Sequence, residues 1–153
     1  MSDASVGEEL RRLRREAALS QRELAAVTGV PQPNIAAYES GRRQPSPETL
    51  VRLGAALRAP SLDRVRASRG PILEVAARRR LSDVRVFGSV ARGDAAAGSD
   101  LDLLVHPAAD ASLFDLAGFM AEVAALLGID VDVVSDRGSG PMMDRIRAEA
   151  VAL

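Results

Sequence analysis

The reading of this chain turns on Phe87-Gly88-Ser89-Val90-Ala91-Arg92-Gly93-Asp94 and, just after it, Ser99-Asp100-Leu101-Asp102-Leu103-Leu104-Val105. Val84-Arg85-Val86-Phe87 predicts a strand that Gly88 ends, with a short helix opening behind it. Leu101 to Val105 predicts a second strand, stopped at Pro107. On such a strand Asp100 and Asp102 point to one face, while Leu101, Leu103 and Val105 point into a core. Two like charges this close repel, and a divalent cation is the natural relief. Oxygen-only ligands select a hard ion such as Mg²⁺. Gly88 lets the backbone approach a phosphate closely. The N–H groups opening the following helix and the Ser89 hydroxyl can hold phosphate oxygens, and Arg92 adds a charge-assisted contact. Asp and Ser are common turn residues, so each position alone means little. The combination is specific.

Further along, Ile129 to Val134 predicts a third strand with Asp130 and Asp132 on one face and Val131 and Val133 on the other. If the strands are neighbours, one of these acids joins Asp100 and Asp102. Three carboxylates with triphosphate oxygens would hold two Mg²⁺ ions, which activate an attacking oxygen and stabilise a pyrophosphate leaving group. Helices fill the intervals. Pro71 starts one with Ile72, Val75 and Ala76 on a face. Leu113, Leu116, Ala117, Met120, Ala124 and Leu127 form a long one ending at Gly128. Met142, Ile146 and Ala150 mark a closing one. His106, the only histidine, reads as a surface residue at a strand end rather than a catalyst.

Upstream the period is helical throughout. Val6, Leu10, Leu13 and Ala17 recur at helix spacing among arginines. Ser20 with Glu23 is a capping box that opens a second helix, ended at Thr28-Gly29. A third begins near Pro33, runs through Ile35 and Tyr38, and stops at Ser40-Gly41. Ser46-Pro47-Glu48 opens a fourth, with Leu50, Leu53 and Leu57 as its apolar stripe. Residues 58–70 read as a joint holding one more short helix, Leu62 to Ala67. Two short helices about a tight turn at Gly29 make a helix-turn-helix, whose second member can lie in a DNA major groove. The expected organisation is an all-α domain of four to five helices over residues 1–67, then an α+β domain with a small mixed sheet over 70–153.

The bulk properties agree with that division. Of 153 residues 47 % are hydrophobic but only 3 % aromatic, so cores must be built from Leu, Val, Ile and Ala. There is no Cys, which excludes a disulfide scaffold, Cys-ligated zinc and a Cys nucleophile, and suits a cytoplasmic setting. No apolar run approaches the ~20 residues of a membrane span, and Met1 to Leu10 lacks the basic-then-apolar order of a signal peptide. Residues 1–69 hold 12 Arg and 8 Asp/Glu, a net of +4. Residues 70–153 hold 8 Arg and 13 Asp/Glu, a net of −5. A basic half suits DNA and an acidic half suits a metal site.

Leu13-Arg14, Ser20-Gln21-Arg22-Glu23-Leu24-Ala25, Gly29-Val30, Ile35, Tyr38-Glu39-Ser40-Gly41 and Pro45-Ser46-Pro47-Glu48-Thr49-Leu50 closely resemble the Xre/Cro-like family of repressor-type DNA-binding domains. The resemblance implies that Gln32, Asn34 and Ala37 face bases and that Gln21, Arg42 and Arg43 reach phosphate. Pro31, Pro33, Ala36 and Ala37 stand where polar residues are common in the family. With so few base contacts, a homodimer on a two-fold operator is expected.

The pattern G-S-x-A-R-G, five residues, then S-D-x-D-L resembles the minimal nucleotidyltransferases of the DNA polymerase beta superfamily. That resemblance implies metal binding by Asp100 and Asp102, with Asp132 rather than Asp130 as the third carboxylate and possible general base. It implies phosphate binding by Gly88 and Ser89; Arg92 and Ser99 complete the candidate nucleotide-binding set. Many members resemble antitoxins that transfer AMP from ATP to a tyrosine of a HEPN-like toxin. The leading expectation is thus an antitoxin-like, DNA-binding nucleotidyltransferase that uses Mg²⁺ and ATP and regulates its own operon. Two alternatives stay open: a non-catalytic regulator whose second domain senses nucleotide or docks a partner, and, ranked lower, a toxin that adds nucleotides to tRNA.

Overall fold

Serine caps set where two helices of the first half begin, at Ser20 and Ser46. The computed structural model describes residues 3–153, with side chains from Val6 onward, so the first two residues of the acidic N-terminal stretch lie outside it. The chain divides into two compact units, one ending at Ala59 and one spanning Pro60–Leu153. In the first, α1 spans Asp3–Glu16, α2 Gln21–Thr28, α3 Gln32–Glu39 and α4 Pro47–Arg58. The Glu23 N–H donates to Ser20 Oγ at 3.1 Å, and the Ser20 N–H donates to Glu23 Oε2 at 2.6 Å. Two of the free backbone donors at the start of α2 are thereby satisfied. Gly29, at φ 70°, ends α2 in the left-handed region and swings the chain into α3. Leu10, Ala17, Leu24, Val30, Ile35, Tyr38, Leu53 and Leu57 form the core. Leu50, expected in the α4 stripe, is exposed.

One ion pair is built into this small core. Arg14 donates to Glu39 through Nε at 2.6 Å and Nη2 at 3.0 Å, and through Nη1 to the Leu19 carbonyl at 2.7 Å. Both residues are buried. A fork-to-fork pair of this kind fixes the angle between α1 and α3 as well as satisfying both charges.

The second unit contains α5 (Leu62–Ala67), α6 (Arg69–Arg78), β1 (Leu81–Phe87), α7 (Gly88–Arg92), β2 (Leu101–Pro107), α8 (Leu113–Leu127), β3 (Val131–Ser135), α9 (Pro141–Glu149) and β4 (Val151–Ala152). The sheet order is β3-β2-β1-β4. β2 and β3 are parallel, while β1 is antiparallel to both β2 and β4. This is the small mixed sheet expected. On one face Val84, Val86, Leu101, Leu103 and Val105 pack with Ile72 and Val75 of α6 and with Phe119, Val123 and Leu127 of α8. On the other, Phe87 and Leu104 pack with Met143 of α9.

Several elements differ from the sequence reading. Val65 of α5 is buried in the second unit's core, so by packing this helix sides with the sheet. In α8 the buried face is Phe119, Val123 and Leu127, whereas Leu113 is 79 % exposed and Met120 lies at the rim. The segment Leu113–Leu127 is apolar nearly all round, so periodicity could not choose its inward face. In α9 Met143 is buried and Met142 is exposed, a shift of one residue. β1 starts at Leu81, ahead of the alternating run, because a bulge between Ser82 and Arg85 breaks the alternation, with Asp83 at φ 49°. β3 starts at Val131, two residues later than read, and β4 is too short to carry a pattern. Among the described residues no helix is long and apolar enough to cross a membrane.

Candidate functional site

The site is organised by strand register. Asp102, the second residue of β2, is the direct partner of Asp132, the second residue of β3. Opposed residues on adjacent strands share a face and stand roughly 5 Å apart at their Cα atoms. Asp100 lies one residue ahead of β2, in coil, rather than on the strand. Asp130 precedes β3, and its carbonyl accepts the Leu101 N–H at 2.9 Å, which begins the parallel pairing.

Gly88 ends β1 at φ 71° and opens α7. A side chain there would be strained, and its Cβ would collide with the Asp102 carboxylate. The turn therefore brings backbone and acid together, and only glycine permits it. Ser89 is half-buried in α7. Ser99 Oγ accepts the Ala96 N–H at 2.9 Å and so closes the loop that delivers Asp100.

Asp102 is half-buried and its carboxyl is held above the usual carboxylate range. Burial is the largest cause, followed by the negative charges of Asp132, Asp100 and Glu149; Arg92 opposes them. The fold thus gathers negative charge around Asp102 and supplies too little positive charge to balance it. Among the described residues no three His, Cys, Asp or Glu side chains stand close enough, as they are, to hold one ion. The donor chemistry nonetheless fits a hard divalent cation: the carboxylates are oxygen-only, two are in register, and a third is two residues away. Convergence needs side-chain rotation, not a change of strand pairing.

The sequence reading missed Glu149, the last residue of α9. Its Oε1 accepts the Gly88 N–H at 3.0 Å and its Oε2 accepts from Arg92 Nη1 at 3.3 Å. Arg92 also donates through Nε to Asp94 at 3.4 Å. No periodicity marks Glu149. The one available hint is an acid in the last turn of a helix, against the macrodipole.

In the first unit a hydrogen-bond chain leads outward from the buried ion pair. Gln21 Nε2 donates to Glu39 Oε2 at 3.0 Å, and Gln32 Nε2 donates to Gln21 Oε1 at 2.9 Å. Gln32, at the start of α3, is thereby oriented by Gln21. Arg43 Nη1 donates to Asn34 Oδ1 at 3.3 Å, and Arg42 Nε to Ser40 Oγ at 3.0 Å. Both arginines are exposed, and Ala37 is half-buried in α3.

Comparisons with known proteins follow the same division. A family described as a helix-turn-helix domain matches residues 5–67, and one described as a nucleotidyltransferase domain matches residues 72–150, just over half of the chain. A candidate protein adenylyltransferase of Methanocaldococcus jannaschii is 35 % identical over 81 residues, covering 52 % of this chain and 87 % of that protein. A solved structure described as a candidate minimal nucleotidyltransferase is 44 % identical, covers 61 % of this chain and 96 % of its own, and superposes with a TM-score of 0.55. A toxin–antitoxin complex with AMP-PNP, 21 % identical over 54 % of this chain and 69 % of that one, has a TM-score of 0.48, a likeness too loose to carry function. A helix-turn-helix domain is thus joined to a mixed-sheet domain with paired acids beside a Gly-Ser turn, and the chain belongs to the nucleotidyltransferase family.

Proposed function

We propose that the second unit transfers a nucleoside monophosphate, AMP from ATP, to a hydroxyl of a partner protein, and that the first unit binds operator DNA of the chain's own operon. The observation that carries the transferase half is the register of Asp102 against Asp132 beside the Gly88 turn. The protein-adenylyltransferase description of the M. jannaschii relative favours a protein acceptor and adenylate. In the reaction the acceptor oxygen forms a bond to the α-phosphorus, and the bond from that phosphorus to the pyrophosphate oxygen breaks. The hydroxyl proton passes to Asp132, which is exposed and faces Asp102 across the strand pair. Gly88, Ser89, Arg92 and Ser99 are assigned to the phosphates. Two Mg²⁺ ions at Asp100, Asp102 and Asp132 would supply, when bound, the positive charge that offsets both the acids and the triphosphate.

The motif resemblance to antitoxin nucleotidyltransferases favours a HEPN-like toxin as the acceptor, in a cytoplasmic setting. On the DNA side Gln32, Asn34 and Ala37 are assigned to bases and Gln21, Arg42 and Arg43 to phosphate, with a homodimer on a two-fold site. The transferase half is tested by incubating the full chain with ATP labelled at the α-phosphate, Mg²⁺ and the neighbouring gene's product. Label appearing on the partner, and lost with Asp102→Asn, supports the assignment. Label that persists in Asp100→Ala and Asp102→Ala variants sinks it. Binding to the chain's own upstream DNA that is undetectable, or insensitive to salt, sinks the operator half.

A further inference from the structure

Glu149 sits where a carboxylate has two reasons not to be. It is the last residue of α9, at the negative end of the helix dipole. It also brings its negative charge to the Gly88 turn, which the Asp102 carboxylate abuts. What holds it is a pair of donors, the Gly88 N–H and the Arg92 guanidinium, one to each carboxylate oxygen. Those are the donors assigned above to nucleotide phosphates. An anion with two oxygens bridging an amide and a guanidinium presents the same acceptors as a phosphate edge.

We propose that Glu149 is a tethered stand-in for a nucleotide phosphate: it occupies Gly88 and Arg92 in the empty protein, is displaced when the triphosphate arrives, and so sets the affinity for nucleotide. The inference rests on the nucleotidyltransferase reading above. The backbone that carries Glu149 is anchored on both sides. Met143 packs on Phe87 and Leu104 one end of α9 away, and Val151 pairs with Val86 two residues beyond Glu149. The side chain itself is partly open to solvent, at 28 % exposure. Displacement therefore needs rotation of the glutamate side chain and no movement of α9. Because the carboxylate competes with the triphosphate for the same donors and also repels it, removing its charge favours nucleotide twice over.

The test uses the full chain and α,β-methylene-ATP, which cannot be cleaved at the α-phosphorus, titrated by calorimetry with Mg²⁺ and again in EDTA. Glu149→Gln keeps the side chain's size and removes its charge. It is expected to bind the analogue about tenfold more tightly than wild type in both conditions, since a charge-assisted contact is exchanged for a neutral one. Glu149→Ala is expected to move the same way, which separates loss of competition from any packing contribution of the glutamine. Thermal melts of both variants report folding. Wild-type binding with equal or weaker binding by folded Glu149→Gln overturns the stand-in and leaves the transferase reading intact. Absence of binding by wild type and both variants overturns the two together.

Discussion

Glu39 and Asp102 are both carboxylates withdrawn from water, one in each unit, and the fold treats them in opposite ways. Glu39 accepts two bonds from Arg14 and one from Gln21. Burial pushes its carboxyl up, but those bonds outweigh burial and hold it below the usual range. Asp102 is only half-buried, but its neighbours are Asp132, Asp100 and Glu149, and burial with their negative charges pushes its carboxyl up. The difference separates a charge that the chain itself neutralises from one that it does not. A buried acid that the chain itself satisfies holds two helices together. A half-buried acid surrounded by other acids holds unfavourable charge that only a positive group can relieve.

The contrast breaks most visibly at Asp102. Asp102→Asn is expected to lower transfer to the partner at least about 10²-fold, as for loss of a charged group that stabilises a transition state. The same change is expected to raise the melting temperature near neutral pH, because it removes a charge the fold disfavours. A melt showing Asp102→Asn less stable than wild type would contradict the charge argument.

Arg14→Ala should be nearly as severe in the other unit. It leaves Glu39 buried without its partner, at a cost of about 3 kcal/mol, read by chemical denaturation of the helical domain. The pH dependence sharpens the comparison because the two signs differ. Glu39, with its pKa depressed in the fold, contributes stability that is present above the unfolded carboxylate pKa and lost as pH falls through the folded value. Asp102, with its pKa raised, contributes stability present below the unfolded value and lost as pH rises through the folded one. Melts of wild type and Asp102→Asn should therefore converge at acid pH and separate as pH rises. Melts of wild type and Arg14→Ala should also draw together at acid pH and separate as pH rises, but with the variant the less stable of the two.

Gly88→Ala is expected to cost about 1–2 kcal/mol from its left-handed backbone, with a further loss of transfer because the new Cβ displaces the Asp102 carboxylate. The smallest effect belongs to the loop arginines. Arg42→Ala should weaken binding to any DNA fragment about uniformly and reduce the salt slope by about 1, as for one phosphate contact. A change of sequence preference instead would mean that Arg42 reads a base.

The helix boundaries of the first unit were legible because they depend on neighbours in the chain: Ser20 with Glu23, Gly29 after Thr28, Ser46 before Pro47. The placement of the acids relative to the apolar strand face was legible for a similar reason, since alternation is local. Nothing local distinguishes Arg14 from Arg11, Arg12 and Arg15 beside it. Its burial depends on Glu39, 25 residues away. The inward face of α8 was hidden by a segment with apolar residues on every side, and its choice was made by the sheet and α6 packed against it.

By itself, then, the order of residues determined two domains, the helix-turn-helix, the strand that carries Asp102, and the glycine turn beside it, all of which follow from caps, turns and short-period patterns. Only the tertiary structure decided that Asp102 meets Asp132, that α5 packs with the sheet, and that Glu149 reaches back to Gly88 and Arg92. Those are pairings across long stretches of chain. They are set by the register of parallel strands and the packing of helices on a sheet, and no local pattern records them.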